Sequence, residues 1–374
     1  MIGCGWFGRR FLGRSMSVLA FCIAALTAST ASGDEIDLSP VLSEMVDGVI
    51  IPAYEKFVEV SEDEVIAIES LCAGPDEDTL KSARAGFATL VYGFSRIEAM
   101  RFGPAREENR FERLFFWPDR RSRGLRQVEG IIQEEDTSAL DAGQLAEKSV
   151  AVQGLLALDF ALSDDEAEED LRRKGSFRCG YALAISRRIA ATAKNLLADW
   201  SGPTGYGNQM KNAGPDQPVY RTSGEAMQEI LRSASEMLTI DRDFKIARVI
   251  GEHAGEAKLK RAPFWRSSLW LRAIDGNIAF VEALFAGNTL AAKLDDENKT
   301  LPKELRFELE QARKAIADAS EHVELGVATD GIGDKPHGLL KYATVPLHGA
   351  ADILESRLSQ ALGLTIGFNS LDGD

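Results

Sequence analysis

The chain has 374 residues, of which 45% are hydrophobic and 27% charged, and its 58 acidic side chains outnumber 43 lysines and arginines to leave a formal charge of −15. Such a surface excludes nucleic acid and anionic membrane as natural partners and favours cations near the protein. The length suggests two domains.

At the N-terminus, Arg9, Arg10 and Arg14 precede an apolar run from Val18 to Leu26 and the small residues Thr27 to Gly33. This is the three-part pattern of a secretory signal peptide, here assigned to residues 1–33. The arginine pair runs straight into Phe11-Leu12 and Cys22 follows a bulky Phe21, which favours the general secretory route over the twin-arginine route and over lipidation. The expected location is the periplasm. Removing the signal takes away three arginines and no acid, so −15 becomes −18. No later segment has the ~18 unbroken apolar residues of a membrane span. Cys4 and Cys22 leave with the signal, and Cys72 and Cys179 remain. One cysteine pair in an exported chain reads as a disulfide, with two buried thiols as the alternative.

Helical spacing dominates the mature chain. Leu305, Leu309, Ala312 and Ile316 form one apolar stripe, Ile274, Ile278, Val281 and Phe285 another, and Leu347, Ala351, Leu354, Leu358 and Ala361 a third. Start and stop signals predict helices over 38–71, 77–98, 125–134, 143–162, 164–200, 222–238, 241–249, 265–285, 302–325 and 337–362, with a kink at Pro52 and a break near Gly175. The Gly, Pro and Asn content of Ser201 to Pro218 marks a linker. The predicted fold is therefore all-α, with a helical bundle over 34–200 packed beside a second over 219–374.

One stretch departs from the acidic character of the rest. Between Arg101 and Arg126 there are eight arginines and four acids, with Pro104 and Pro118 bracketing Phe111, Phe115, Phe116 and Trp117. The prolines forbid a continuous helix, so an aromatic-anchored irregular crossing is expected. Its arginines hold either an external anion or the protein's own carboxylates.

The residues Arg101-Phe102-Gly103-Pro104, Asn109-Arg110, Phe116-Trp117-Pro118-Asp119 and Arg126-Gln127 resemble the matching stretch of imelysin-like proteins, a family classed with the M75 metallopeptidases. Val152-Gln153-Gly154-Leu155, Trp265-Arg266-Ser267 and the closing residues Leu364 to Asp374 extend the resemblance in order along the chain. The resemblance implies two helical bundles and a Gly-x-His-x-x-Glu motif whose His and Glu share a helix face and present a nitrogen and an oxygen to a metal. At that position this chain reads Gly154-Leu155-Leu156-Ala157-Leu158-Asp159. Leu156 replaces the histidine and cannot bind a metal, whereas Asp159 keeps a carboxylate as a residual metal candidate or as a partner for Arg101 or Arg110. A literal match, Gly251-Glu252-His253-Ala254-Gly255-Glu256, lies in glycine-rich sequence without an apolar stripe; His253 and Glu256 are metal candidates only by pattern. The acidic run Ser163 to Asp170 reads as a helix start capped by Ser163, with hard-cation binding as the alternative.

These residues point to a cleft lined by Arg101, Arg110, Asp119, Gln153, Gly154, Asp159 and Arg266, suited to a small anion or a metal chelate. The resemblance implies iron-related uptake or sensing at the cell envelope, with iron or another divalent or trivalent metal as the associated cofactor. A metallopeptidase is the second reading, although zinc hydrolysis needs about three ligands and an open water position. A third is a scaffold that binds another envelope protein.

Overall fold

The computed structural model describes residues 36–323 and 331–364. The predicted signal peptide, Cys4, Cys22, the end of the ninth predicted helix at Leu325 and the closing block from Thr365 lie outside the described residues. Among the described residues the regular elements are all helical, and those from Ile36 onward cluster as one compact unit.

Two groups of long helices build this unit. The first contains α1 (Ser39–Met45), α2 (Ile51–Ala73), α3 (Glu77–Ser95), α4 (Arg123–Gln133), α5 (Leu155–Ser163) and α6 (Phe177–Trp200). Here α2 packs against α3 and α6, and α5 packs against α6. The second contains α7 (Ser223–Thr239), α8 (Trp270–Leu284), α9 (Leu301–Ser320) and α10 (Asp334–Asp352), with α9 packed on both α8 and α10. The interface between α3 and α8 joins the groups, and buried side chains from both merge into one apolar core. Each fully buried Phe or Leu contributes about 1.5–3 kcal/mol through removal of apolar area from water. Gly276 allows the close approach at this joint, since a Cβ there would lie 2.7 Å from that of Ser95.

Local chemistry explains the boundaries. Asp76 and Thr79 form a reciprocal capping box at the start of α3. A π-helical turn, Val46–Ile50, precedes Pro52, which occupies the first turn of α2, where its missing N–H costs nothing. Cys72 and Cys179 are disulfide-bonded, fastening the end of α2 to the start of α6.

Several predicted helices are more broken than the apolar pattern suggests. The helix over 143–162 divides into Ala142–Ala146, a 3-10 turn Val150–Val152 and α5, because Gly154 adopts extended geometry against the carbonyls of Arg113 and Leu114. A Cβ at Gly154 would sit 2.3 Å from the Arg113 oxygen, so only glycine fits this approach. The helix over 164–200 divides at Gly175, whose φ is 73°. Ser163 ends α5 and caps nothing; the next short helix, Ala167–Leu171, comes after Glu166 without a side-chain cap. The predicted helix from Trp265 begins instead at Trp270, because Phe264 and Ser268 have positive φ. Segment 241–249 continues α7 as a π-helix, Ile240–Ala247. Within the linker, Tyr206–Lys211 is helical, held by Tyr206 against Trp200 and Phe102 and by its hydroxyl, 2.6 Å from that of Tyr220.

Candidate functional site

Two irregular segments and two helices form most of the lining of a cavity of about 560 Å³. The Arg and aromatic crossing contributes Phe116 to Arg120, with a cis bond before Pro118. The loop ahead of α8 contributes Lys260 to Arg266, while α5 supplies Leu156, Ala157, Asp159 and Phe160. Leu125 and Val128 of α4 complete an apolar floor. The crossing is anchored by rings: Phe115 stacks on Trp117 and Phe264, and Trp117 Nε1 donates to the Arg261 carbonyl at 3.3 Å.

Asp159 lies at the base, 2% exposed, and its Oδ1 is buried without a hydrogen-bond partner. Burial pushes its carboxyl up to about 6, with Ser267 and the Arg266 guanidinium pulling the other way. Arg266 lies over the rings of Trp265 at 4.3 Å and Phe160 at 4.8 Å. Its Nε is 3.5 Å from Asp164 Oδ1, close enough for an ion pair but without a hydrogen bond to any partner. Asp164 also faces the buried Arg178, which is bonded to Asp170 at 3.0 Å. The acidic run thus supplies partners for arginines behind the cavity wall.

The mouth is cationic. Arg120, Arg248, Lys260 and Arg261 line it and are exposed, and among the described residues none of the four forms an ion pair with a carboxylate. Aromatic faces hold two of them in place: Arg248 lies 4.0 Å from the Phe244 ring centre and Lys260 5.5 Å from that of Trp265. Arg120 belongs to the arginine-rich crossing that the sequence singles out, whereas Arg248, Lys260 and Arg261 were not expected at the site. The signal for Lys260 and Arg261 was the basic run Lys258 to Arg261 ahead of Pro263-Phe264-Trp265, a local reversal of charge like that of the first Arg segment.

Of the predicted cleft residues, Asp119, Asp159 and Arg266 meet around this cavity. Asp119 accepts from the amides of Arg123 at 2.9 Å and Leu125 at 3.1 Å, which fixes the entry to α4. Arg101 lies across the Phe116-Trp117-Pro118 wall in a second hollow, bound to Glu98 at 2.7 Å, and Arg110 pairs with Asp199. Neither arginine is the partner of Asp159; Arg266 is the cation whose charge acts on it, while its own ion pair is with Asp164. Gln153 is buried on backbone carbonyls of Lys148 and Ser149 and on Arg113, and Gly154 serves the close backbone approach.

The metal expected from the motif is a poor match to these side chains. Leu156, the residue expected at the histidine position, lines the cavity, Asp159 offers one donor group, and the charged neighbour acting on it is the cation Arg266. No group of three His, Cys, Asp or Glu side chains converges as a metal site among the described residues. His253 and Glu256 are exposed on a loop, where Glu256 Oε2 accepts from the Glu252 amide at 3.2 Å.

An all-helical protein with a cation-rimmed, apolar-floored cavity is the class defined by this geometry. The imelysin family model, Peptidase M75, matches residues 50–338, and the chain belongs to that family. It is similar in structure to an imelysin-like protein from Psychrobacter arcticum 273-4, with a TM-score of 0.69 and 20% identity over 88% of this chain and 96% of that one. It is also similar to a candidate iron-regulated protein A precursor from Parabacteroides distasonis ATCC 8503, with a TM-score of 0.66 and 16% identity over 88% and 97% of the two chains. No curated protein matches the chain. No helix among the described residues is long and apolar enough to cross a membrane.

Proposed function

We propose that this protein is an exported, periplasmic binding protein whose cavity takes a small anion with an apolar portion, including an anionic metal chelate. The observation that carries this reading is the set of four unpaired cations at the mouth of the cavity, in a chain whose formal charge is −15. An acidic protein gains nothing in solubility from four like charges held together. Their mutual repulsion is relieved by a bound anion, which also finds a desolvated Arg266 within.

The iron-related role suggested by the similar iron-regulated precursor enters through the chelate and not through a bare ion. In a ferric hydroxycarboxylate, for example, the ligand supplies the oxygen donors and the protein recognises the net negative charge. Leu156 and Asp159 supply too few donors for zinc-type hydrolysis.

The test is calorimetric titration with ferric citrate, citrate and iron(II) alone. The reading expects the anions to bind near one to one, with affinity falling as salt rises. Stoichiometric binding of iron(II) alone, with no response to either anion, would overturn it.

A further inference from the structure

We propose that the cavity is a proton-coupled anion site, in which ionised Asp159 repels the ligand from Arg266 until the ligand arrives together with a proton. This rests on the anion-site reading above and adds how that site is regulated.

Two atoms at the cavity base carry the argument. Asp159 Oδ1 is buried and accepts no hydrogen bond, and Arg266 Nε is buried and donates none. Both residues line a cavity about 560 Å³ in size, so a donor and an acceptor stand unused beside it: Arg266 Nε has only Asp164 nearby, at 3.5 Å, and the hydrogen-bonding neighbour of Asp159 is Ser267. An entering carboxylate, sulfonate or phosphate can take the Arg266 donor. With Asp159 ionised, however, the same oxyanion meets a second negative charge in a poorly solvated place. Protonation removes that repulsion and turns Asp159 into an O–H donor to the ligand.

The other charges around Asp159 have partners of their own. Asp164 faces both Arg266, at 3.5 Å, and Arg178 behind Phe160, Arg178 being bound to Asp170, and Arg84 of α3 donates to the Leu162 carbonyl. Asp119 is held by two backbone amides, and the mouth cations lie further out. Asp159 is the group left to absorb the change, and burial already holds its carboxyl at about 6.

Linkage sets the sign. A bound anion raises the Asp159 pKa above its value in the free protein, so the gain in affinity is full below about 6 and is lost as pH rises through the bound-state value. Affinity therefore falls about tenfold per pH unit within that window.

Naphthalene-2-sulfonate is a suitable probe because its own charge is constant between about pH 5 and about pH 8. Its binding to the wild-type protein is expected to weaken at least about tenfold across that range, and calorimetry near neutrality in buffers of different ionisation enthalpy is expected to show proton uptake. Asp159→Asn, which cannot ionise, is expected to bind at high pH about as tightly as the wild type does at low pH, with a flat profile. An equal slope in Asp159→Asn would assign the pH dependence to another group, such as a histidine, and overturn the coupling. Binding by the wild type that is flat with pH and takes up no proton would overturn it while leaving the anion site intact. Absence of binding at every pH would overturn both. The proton-uptake measurement decides the matter in the wild-type protein even where the variant fails to fold.

Discussion

Two places in this molecule bury a carboxylate beside a cation, and they are built to different ends. At the joint of the helix groups, Glu98 receives Lys245 Nζ at 2.8 Å, Asn277 Nδ2 at 3.1 Å and Arg101 at 2.7 Å. Burial pushes the Glu98 carboxyl up, but the Lys245 and Arg101 charges with the hydrogen bonds outweigh it, and the net shift is downward. At the cavity base, burial also pushes Asp159 up, and there it wins. The difference lies in the partners: Glu98 is bonded to two cations and an amide, whereas Asp159 has Ser267 and leaves Oδ1 without a partner. A charge saturated with partners locks two groups of helices together, and one left open beside a cavity is available to a ligand.

The joint is not saturated throughout. Lys245 Nζ lies 3.1 Å from Asp241 Oδ1, yet its hydrogen bonds go to Glu98 and Asn277, and neither Asp241 oxygen is hydrogen-bonded. Burial raises Asp241 to about 7, with Lys245 opposing. We read the joint as a single buried lysine serving Glu98 strongly and Asp241 weakly.

The largest expected effect breaks the joint. Lys245→Met leaves Glu98 and Asp241 without their shared cation and is expected to cost about 3–5 kcal/mol, seen as a lower urea midpoint. Removing the disulfide with Cys72→Ser and Cys179→Ser is expected to cost a similar or smaller amount, about 2–5 kcal/mol, by the same measurement. These are losses of structure and are expected at any ligand concentration.

Changes at the cavity should act on binding and pH dependence instead. Arg266→Ala is expected to weaken anion binding by about 2 kcal/mol, near thirtyfold, because it removes the desolvated donor. Asp159→Asn is expected to stabilise the fold above about pH 6 by up to about 2 kcal/mol. An acid whose folded pKa of about 6 exceeds its ordinary value near 3.8 imposes no penalty below the lower value and a full one above the higher. Wild-type stability should therefore lose this contribution as pH rises between those values, and thermal unfolding scans of both proteins would reveal it. The smallest effect belongs to the wall: Asp119→Ala removes a cap at α4 and is expected to cost about 1 kcal/mol while leaving Arg266 in place.

Much of the fold was legible because the apolar stripes of α8, α9 and α10 have helical spacing, and their buried faces are those the sequence indicates. The disulfide was legible from the pairing of the remaining cysteines. The breaks were not, because their cause is tertiary: Gly154 starts α5 in extended geometry because the carbonyls of Arg113 and Leu114, distant in sequence, approach it closely. The site was half legible. Asp119, Asp159 and Arg266 could be found from the altered motif and the blocks beside it, whereas Arg101 and Arg110 were drawn to Glu98 and Asp199. Lys260 and Arg261 lie in a segment without apolar periodicity, and only the fold brings them to the same cavity as Asp119 and Arg120.

The central claim is that the altered motif serves an anion and not a metal ion. It is tested most directly by titrating the purified protein and Arg266→Ala side by side with naphthalene-2-sulfonate and with iron(II). The account predicts near one-to-one binding of the sulfonate by the parent protein, about thirtyfold weaker binding by the variant, and no stoichiometric uptake of iron(II) by either. Stoichiometric iron(II) binding that survives Arg266→Ala, with no binding of the sulfonate, would contradict it.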